Sequence, residues 1–422
     1  MIRINLYSMT AIDPTKPLDL AYEAGAILLE NGAEISRVEE TMRRIASHYG
    51  VEDESFFVLS NGIMATGKNY ARSQFIPIKG ASLDKVVAVN QLSREVEQGR
   101  YTLEQLEHRL KGIRAMKAKP AWEQILASAV GSAAFCIIFG GSFMDCIASF
   151  IAGMVLWVFM LFVATKQLSR IVSTVSGGLL ATLLCFGMYR IGLGNHLSNM
   201  IIGVIIPLIP GVAFTNGIRD MANEDYIAGT TRLLDAMLTF FCIALGVALA
   251  FMFDENVFGE MLVLEGLTAD IQTSGFVVQL IAAFLGTVSF AALFGVPRKY
   301  YLDAGICGTI GWLFYLVFSC YTAMSPAEVV FCATALVTLT ALMQSTGRKC
   351  PITVFLICGI FPLVPGAGIF WTSYNIVSNQ LSEALQTGFG ALKATVAIAF
   401  GILAMMELNG KGKVRKWLKN KK

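Results

Sequence analysis

The sequence predicts an α-helical polytopic membrane protein in which a small cytoplasmic α+β domain precedes ten transmembrane helices, arranged as two inverted five-helix repeats. Three observations support this prediction: the composition, ten apolar runs, and a proline motif that occurs twice at a fixed distance. Of the 422 residues, 55% are hydrophobic and only 15% are charged. A soluble chain of this length needs more charge to cover its surface, so a membrane protein is the starting hypothesis.

Charged residues are concentrated at the two ends of the chain, and the long middle segment is apolar. The first residues lack a basic region followed by an apolar core, so we predict no cleavable signal peptide and expect the first domain to remain cytoplasmic. The net charge of +3 is too small to indicate binding to nucleic acid. The expected domains are a cytoplasmic α+β domain at 1–119, a first five-helix repeat at 120–252, a second at 273–410, and a basic cytoplasmic tail at 411–422.

The first domain shows two helical patterns, then a strand pattern, then two more helical patterns. Asn61 and Gly62 between two β-branched or aromatic runs are typical of a β-hairpin. Thr102 followed by Gln105 forms a capping-box pattern that opens the last helix. The predicted helices are 17–31, 34–49, 82–98 and 102–115, and the predicted strands are 56–60, 63–66 and 72–78.

The rest of the chain contains ten apolar runs that are long enough to cross a membrane, since a hydrocarbon core of about 30 Å requires roughly 17–25 helical residues. The predicted spans are 122–143, 146–164, 171–189, 197–215, 230–252, 273–294, 301–318, 326–343, 351–370 and 388–407.

If consecutive spans cross the membrane in alternating directions, nearly all the Lys and Arg residues near the span ends lie in the loops on one side of the membrane. Cytoplasmic loops of membrane proteins carry an excess of these residues. The segment before the first span and the tail are basic, and the loop at 253–272 contains neither Lys nor Arg. Both termini are therefore expected in the cytoplasm, with the protein in the cell (plasma) membrane. The even-numbered loops contain Lys166 with Arg170, Arg219 with Arg232, Arg298 with Lys299, and Arg348 with Lys349.

A short motif occurs once in each half of the apolar region. Residues 206–211 are Ile-Pro-Leu-Ile-Pro-Gly and residues 361–366 are Phe-Pro-Leu-Val-Pro-Gly, an offset of 155. The same offset places the starts of the first four spans on or near span starts in the second half, which indicates a repeated five-span unit. Because five is odd, a second copy enters the membrane from the opposite side, and the repeat is predicted to be inverted.

The prolines of both motifs interrupt predicted spans, because each removes a backbone donor and clashes with the preceding helical turn. The motif residues are Pro207, Pro210 and Gly211 in the first copy, and Pro362, Pro365 and Gly366 in the second. Broken helices at matching positions of two inverted halves indicate a substrate site near the membrane midplane. Structural kinks between tightly packed helices are the alternative interpretation.

Polar residues after the two breaks are the candidate substrate contacts. In the first copy they are Thr215, Asn216, Arg219 and Asp220, and in the second Thr372, Ser373 and Asn375, next to Trp371 and Tyr374. Arg219 could instead be an interfacial anchor and Asp220 a helix cap. Charged residues within spans often mark proton pathways, so Asp235, Asp220 and Lys393 are proton-coupling candidates, although Lys393 could extend to the interface.

No catalytic set is recognisable in the chain, so an enzyme is not predicted. Nine cysteines lie in or beside apolar segments without a CxxC pair, and no histidine has metal-ligand spacing near them. We therefore expect neither a cofactor nor a bound metal, and interpret the cysteines as small core residues. The first domain is interpreted as regulatory or as an assembly domain.

Four segments resemble the threonine/serine exporter family: 31–45, 206–220, 225–229 and 351–366. The resemblance implies export of threonine and serine driven by the proton-motive force, with protons and a small molecule as partners in a lipid bilayer. Some split relatives are associated with succinate, so a dicarboxylate is the alternative substrate. The resemblance also implies a motif in the first domain at Glu34, Arg37 and Glu39. Within it, Ile35 and Ser36 stand where the family commonly has Thr-Tyr. A hydrolase role suggested for the family's head is a second class of hypothesis, and a homo-oligomer is left open.

Overall fold

The computed structural model describes residues 15–77, 80–164, 167–259 and 275–410. The chain forms two compact units. The first contains residues 1–117 with the short segment 223–228, and the second contains 118–222 and 229–422.

The first unit is an α+β fold with a three-stranded antiparallel sheet in the order β1-β2-β3. Alternate strand residues Phe56, Val58, Ile63 and Ala65 are buried, so one face of the sheet contributes to the core. The predicted capping box is confirmed, because Thr102 Oγ1 accepts from the Gln105 amide. The elements are α1 Thr15–Glu30, α2 Ile35–His48, β1 Ser55–Leu59, β2 Gly62–Gly67, β3 Tyr70–Phe75, α3 Leu83–Glu97 and α4 Leu103–Arg114. Residue 78, the predicted end of the third strand, lies outside the described residues.

The described secondary-structure elements of the second unit are all helices, and eight of them are long and apolar enough to cross a membrane. Two bent helix pairs bring the number to ten if each pair is one span. The prediction of a polytopic helical protein is thus confirmed. The helices are α5 Ala121–Ile138, α6 Phe143–Phe159 (extended by a π-helical turn, Met160–Ala164), α7 Arg170–Arg190, α8 Leu197–Ile205, α9 Gly211–Ala222, α10 Tyr226–Phe258, α11 Phe276–Leu293, α12 Tyr301–Tyr321, α13 Pro326–Arg348, α14 Thr353–Ile360, α15 Gly366–Val377 and α16 Leu381–Gly410.

Two of these helices exceed their predicted spans by the most. The fifth span, predicted at 230–252, is α10 with 33 residues, and the last, predicted at 388–407, is α16 with 30. Polar ends continue both helices because an α-helix satisfies its own backbone groups beyond the apolar run.

Side-chain capping explains where other helices begin. Ser142 and Asp145 form a capping box at the start of α6, and Ser325 with Glu328 forms one at the start of α13. Each box satisfies amide groups of the first turn that have no partner within the helix.

The third and fifth helices of the first half, α7 and α10, run parallel. Their contacts advance together along both chains, from Arg170 with Asp235 to Arg190 with Asp254. Between these ion pairs, Gly178 lies against Ile243. The two helices therefore point in the same direction.

The first helices of the two halves, α5 and α11, run antiparallel. The Gln279 side chain at the start of α11 donates to the carbonyl of Ile137 at the end of α5. Gly131 faces Ser289 near the middle of both helices. Arg298, just after α11, pairs with Glu123 in the first turn of α5. These two helices thus point in opposite directions.

Candidate functional site

The two proline motifs adopt the same backbone geometry. Each contains one 3-10 turn, Ile206–Leu208 or Phe361–Leu363, followed by one extended residue. That residue is Ile209, with φ −66° and ψ 131°, or Val364, with φ −65° and ψ 133°. The bend between α8 and α9 is 62°, and that between α14 and α15 is 44°. Both motifs therefore break their helices, as the prolines predicted.

The two breaks lie against each other, although 155 residues separate them in sequence. A methyl carbon placed on Gly211 would lie 2.2 Å from Cε2 of Phe361, and one on Gly366 would lie 3.0 Å from Cδ1 of Ile209. The Phe361 ring is itself stacked on Phe290, with ring centroids 3.9 Å apart. Each glycine thus faces the motif of the other half. The broken backbone segments of the two halves therefore lie close together.

The polar residues after the first break are buried. Thr215, Asn216, Arg219 and Asp220 on α9 are all less than 5% exposed. Asp220 Oδ2 accepts a hydrogen bond of 2.7 Å from Nη1 of Arg232 on α10. The prediction of Arg219 and Arg232 as loop cations is wrong, because both lie inside helices and are 4% exposed.

Close packing of α9 on α10 brings Asp220 and Arg232 together. A methyl carbon on Gly229 would lie 2.9 Å from the carbonyl oxygen of Gly217, so only glycine permits this approach. The sequence did not predict the pair of Asp220 and Arg232. Local patterns do not indicate contacts between residues that are twelve positions apart and lie on two different helices.

The polar residues after the second break carry no charge and bond mainly within their own helix. Thr372 Oγ1 donates to the carbonyl of Gly368 at 2.7 Å, and Ser373 Oγ donates to that of Ile369 at 2.8 Å. Asn375 is buried beside them. Trp371 differs, because its buried indole N–H has no hydrogen-bond partner among the described residues. The two halves of the candidate site are therefore chemically unlike.

The proton-coupling candidates lie in different surroundings. Asp220 is fully buried, whereas Asp235 is partly exposed and accepts a hydrogen bond of 2.8 Å from Nη1 of Arg170. This ion pair was not predicted from the sequence. Lys393 on α16 is exposed.

Two further polar clusters escaped the sequence reasoning. Asp145 caps the start of α6 and is fully buried, and it also accepts hydrogen bonds from the ring and backbone amide of His196. Glu123 accepts from Arg298 at 2.6 Å and from Tyr301 at 2.9 Å, and this contact joins α5 to the second half. Only the Ser142-Asp145 spacing gave a sequence signal for either cluster.

The predicted head motif begins at Glu34, which directly precedes α2, and continues along the first turns of α2; its residues have two different surroundings. Buried Glu34 accepts from Nε of Arg37 at 2.9 Å, and Nη1 of Arg37 donates to Asn90 of α3 at 3.1 Å. Glu34 and Arg37 thus join two helices. Glu39 instead lines a surface cavity of about 560 Å³. Burial raises the pKa of the Glu39 carboxyl, and the nearby charge of Asp225 adds to this effect.

Two family models together match most of the chain. A family model of threonine/serine exporters matches residues 19–254, which include the head, the first break and α10. A second, described as "Threonine/Serine exporter, ThrE", matches residues 279–407, which include the second break. The chain belongs to the threonine/serine exporter family. Exporters of this family transport amino acids, so the chain is a multi-pass membrane transporter of a small molecule.

Two relatives match the chain along most of its length. One, named "Threonine/serine exporter", comes from Corynebacterium glutamicum and is 23% identical over 399 residues, covering 92% of this chain and 81% of the relative. Another, named "Probable threonine/serine exporter", comes from Mycobacterium tuberculosis and is 20% identical over 412 residues, covering 92% and 74%. No solved structure matches the chain.

Proposed function

We propose that this chain exports threonine and serine across the cell membrane by alternating access at the two broken helices, driven by the proton-motive force. The observation that carries the proposal is the contact between the breaks, in which Gly211 faces Phe361 and Gly366 faces Ile209. Backbone groups freed by a helix break need a partner, and a polar solute can provide it.

A hydrogen-bond donor without a partner near the second break supports the proposal that a ligand binds there. The indole N–H of Trp371, five residues after Gly366, is buried without a partner among the described residues. A buried donor left unsatisfied costs about 1–3 kcal/mol, so a solute hydroxyl or carboxylate that accepts from it would bind favourably.

Helix directions support the inverted ten-span topology that alternating access requires. Since α7 and α10 are parallel, the chain between them must cross the membrane once in the opposite direction. This requirement fits α8 and α9 acting together as one broken span. Since α5 and α11 are antiparallel, an odd number of crossings separates equivalent positions of the two halves. With both termini cytoplasmic, rocking of one half against the other would expose the breaks to each side in turn.

For proton coupling we favour Asp220, with Asp235 and Lys393 as further candidates. Asp220 is fully buried and bonded to a cation, so a change in its protonation would alter the local charge balance strongly. Asp235 is partly exposed beside Arg170, where solvent weakens such an effect.

Proteoliposomes that contain the full chain and labelled threonine test the proposal. We expect efflux to accelerate under an imposed pH gradient, and both Pro210→Ala and Asp220→Asn to slow it. Gly187→Ala is the matched control, because no atom lies within 4 Å of an added methyl carbon there. Efflux that ignores the pH gradient and both substitutions would exclude this mechanism.

Competition distinguishes the remaining functions. Inhibition by serine but not by succinate supports amino-acid export, and the reverse result supports a dicarboxylate exporter. Transport that never exceeds the concentration gradient would indicate an uncoupled facilitator. Turnover of ester, peptide or phosphate substrates by the same preparation would indicate a hydrolase.

A further inference from the structure

The ion pair between Asp220 and Arg232 differs from the other ion pairs of the helical unit in its burial. The side chains of Asp220 and Arg232 are 0% and 4% exposed. Among the described ion pairs of this unit, it has the least exposed cation. Arg348, paired with Asp303, has a side chain that is 53% exposed.

Stability alone is a weak explanation for a pair buried this deeply. Removing both charges from water costs several kcal/mol per ion, and apolar residues of similar volume often stabilise a protein equally well or better. A buried ion pair between the helix that follows the first break and its neighbour α10 therefore suggests a role in binding.

Neighbouring side chains on α9 offer further polar contacts. Asn216 precedes Asp220 by four residues, and Thr215 precedes Arg219 by four, so each pair shares one side of the helix. All four side chains are less than 5% exposed. The face of α9 towards Arg232 thus combines a carboxylate and an amide in one buried region.

We propose that the transported amino acid inserts between Asp220 and Arg232, with its carboxylate on Arg232 and its ammonium group on Asp220. This inference rests on the proposed export of threonine and serine, and it assigns to Arg232 a role that the sequence reasoning had not given it. In the empty protein, Asp220 occupies the place of the substrate carboxylate.

Charge balance explains why a zwitterion suits this position. Arg binds a carboxylate through parallel N–H donors in a planar fork, so the substrate carboxylate can replace that of Asp220 without leaving Arg232 unpaired. The displaced Asp220 carboxylate then gains the substrate's ammonium group. A zwitterion enters with no change in net charge, whereas a dicarboxylate would bring two negative charges against Asp220.

The first test uses the wild-type full chain in proteoliposomes with labelled threonine. Competitors are serine, threonine amide, which lacks the carboxylate, and 3-hydroxybutyrate, which lacks the ammonium group. We expect serine to inhibit at least about tenfold more strongly than either of the other two, since each loses one charge-assisted hydrogen-bonded contact. Equal inhibition by all three would overturn the inserted-zwitterion arrangement.

The second test uses variants of the same protein. Arg232→Gln should raise the KM for threonine by about tenfold or more and abolish the preference for threonine over its amide, while Arg348→Gln is the matched control at an exposed ion pair. The exchanged variant, Asp220→Arg with Arg232→Asp, keeps an ion pair and serves where the single variant fails to fold. The exchanged variant should also raise the KM, because a substrate reversed between the exchanged charges would place its side chain in different surroundings. Wild-type KM in Arg232→Gln, or wild-type KM for both threonine and serine in the exchanged variant, would show that the pair is only structural.

These outcomes separate the two proposals. Wild-type protein that moves neither threonine nor serine refutes the proposed function. Wild-type threonine transport together with an unchanged KM in Arg232→Gln refutes only the role of Arg232.

Discussion

Gly211 faces the ring of Phe361 so closely that a methyl carbon on Gly211 would lie 2.2 Å from Cε2 of that ring. Phe361 cannot move away easily, because it is stacked on Phe290 and lies against Phe294, with ring centroids 3.9 Å and 5.3 Å apart. This contact fixes the first break against the second half of the protein.

Gly211→Ala should therefore destabilise the protein and impair transport. Forcing a methyl group into a packed region costs about 1–3 kcal/mol. Thermal unfolding in detergent and threonine efflux from proteoliposomes measure both effects. Phe361→Leu in the same chain should restore part of the stability, since it opens space beside the new methyl group.

Alanine substitutions at two other glycines provide comparisons for Gly211→Ala. Gly366→Ala should be milder, because its methyl carbon would lie 3.0 Å from the flexible end of Ile209. Gly187→Ala should have little effect, since nothing lies within 4 Å. Equal effects at Gly211 and Gly187 would contradict close contact between the breaks.

Asp145→Asn should destabilise the protein more than His196→Ala. Asp145 accepts from the backbone amides of Ser142, Asn195 and His196 and from Nδ1 of His196, at 2.6–3.0 Å. An amide nitrogen in place of one oxygen leaves buried donors without an acceptor, at a cost of about 1–3 kcal/mol. The His196 ring is 41% exposed, and its removal keeps the backbone bonds.

Thermal unfolding of both variants at pH 7 measures this difference. Phe143→Ala, next to Asp145 and 78% exposed, is a control for changes at the start of α6. A larger loss for His196→Ala than for Asp145→Asn would show that the imidazole, and not the amide network, fixes this loop.

Acidification should weaken the contact between α3 and the segment that leads into α4 in the head, through Glu95. The Gln91 amide and the Tyr101 hydroxyl, each 2.8 Å from a carboxylate oxygen, lower the pKa of Glu95. A carboxyl with a lowered folded pKa contributes stability above its unfolded pKa of about 4.3, and that contribution is lost as the pH falls through the folded value.

Hydrogen-exchange protection of α3 and α4 in the full chain, corrected for intrinsic rates, can be followed from pH 7 to below pH 4. Wild-type protection should fall over this interval more than that of Glu95→Gln, which has no charge to lose. Parallel pH profiles for the two proteins would argue against a role of Glu95 in this range.

Cys320 provides a test of the inverted topology. Of the nine cysteines, Cys320 is the exposed one. It lies in the last turn of α12, and the charges of the loops predict that this end of α12 is on the external side. A membrane-impermeant maleimide should therefore label intact cells that express the wild-type chain, but not those with Cys320→Ser. Adding Gly347→Cys to Cys320→Ser should permit labelling only after permeabilisation, because that end of α13 is predicted to be cytoplasmic.

Local patterns in the sequence predicted the elements well. Thr102 with Gln105 located the start of α4, and Asn61 with Gly62 located the hairpin, because capping and tight turns involve residues only a few positions apart. The ends of α10 and α16 were predicted poorly, since hydropathy does not detect polar helical extensions. Buried polar contacts were the other failure. Asp145 with His196 and Asp220 with Arg232 depend on how helices rotate and pack, which periodicity alone does not specify.

The sequence by itself determined that this is a helical membrane protein with a small α+β head, and that a proline motif breaks a helix in each half of its apolar region. Composition, span length and covalent proline geometry are properties of the chain itself, so these conclusions needed no coordinates. Only the tertiary structure decided that the breaks meet, with Gly211 against Phe361, and that Arg232 pairs with Asp220. Those contacts arise from close helix packing between distant segments, and the two glycine approaches that permit them are visible only when the helices are placed side by side.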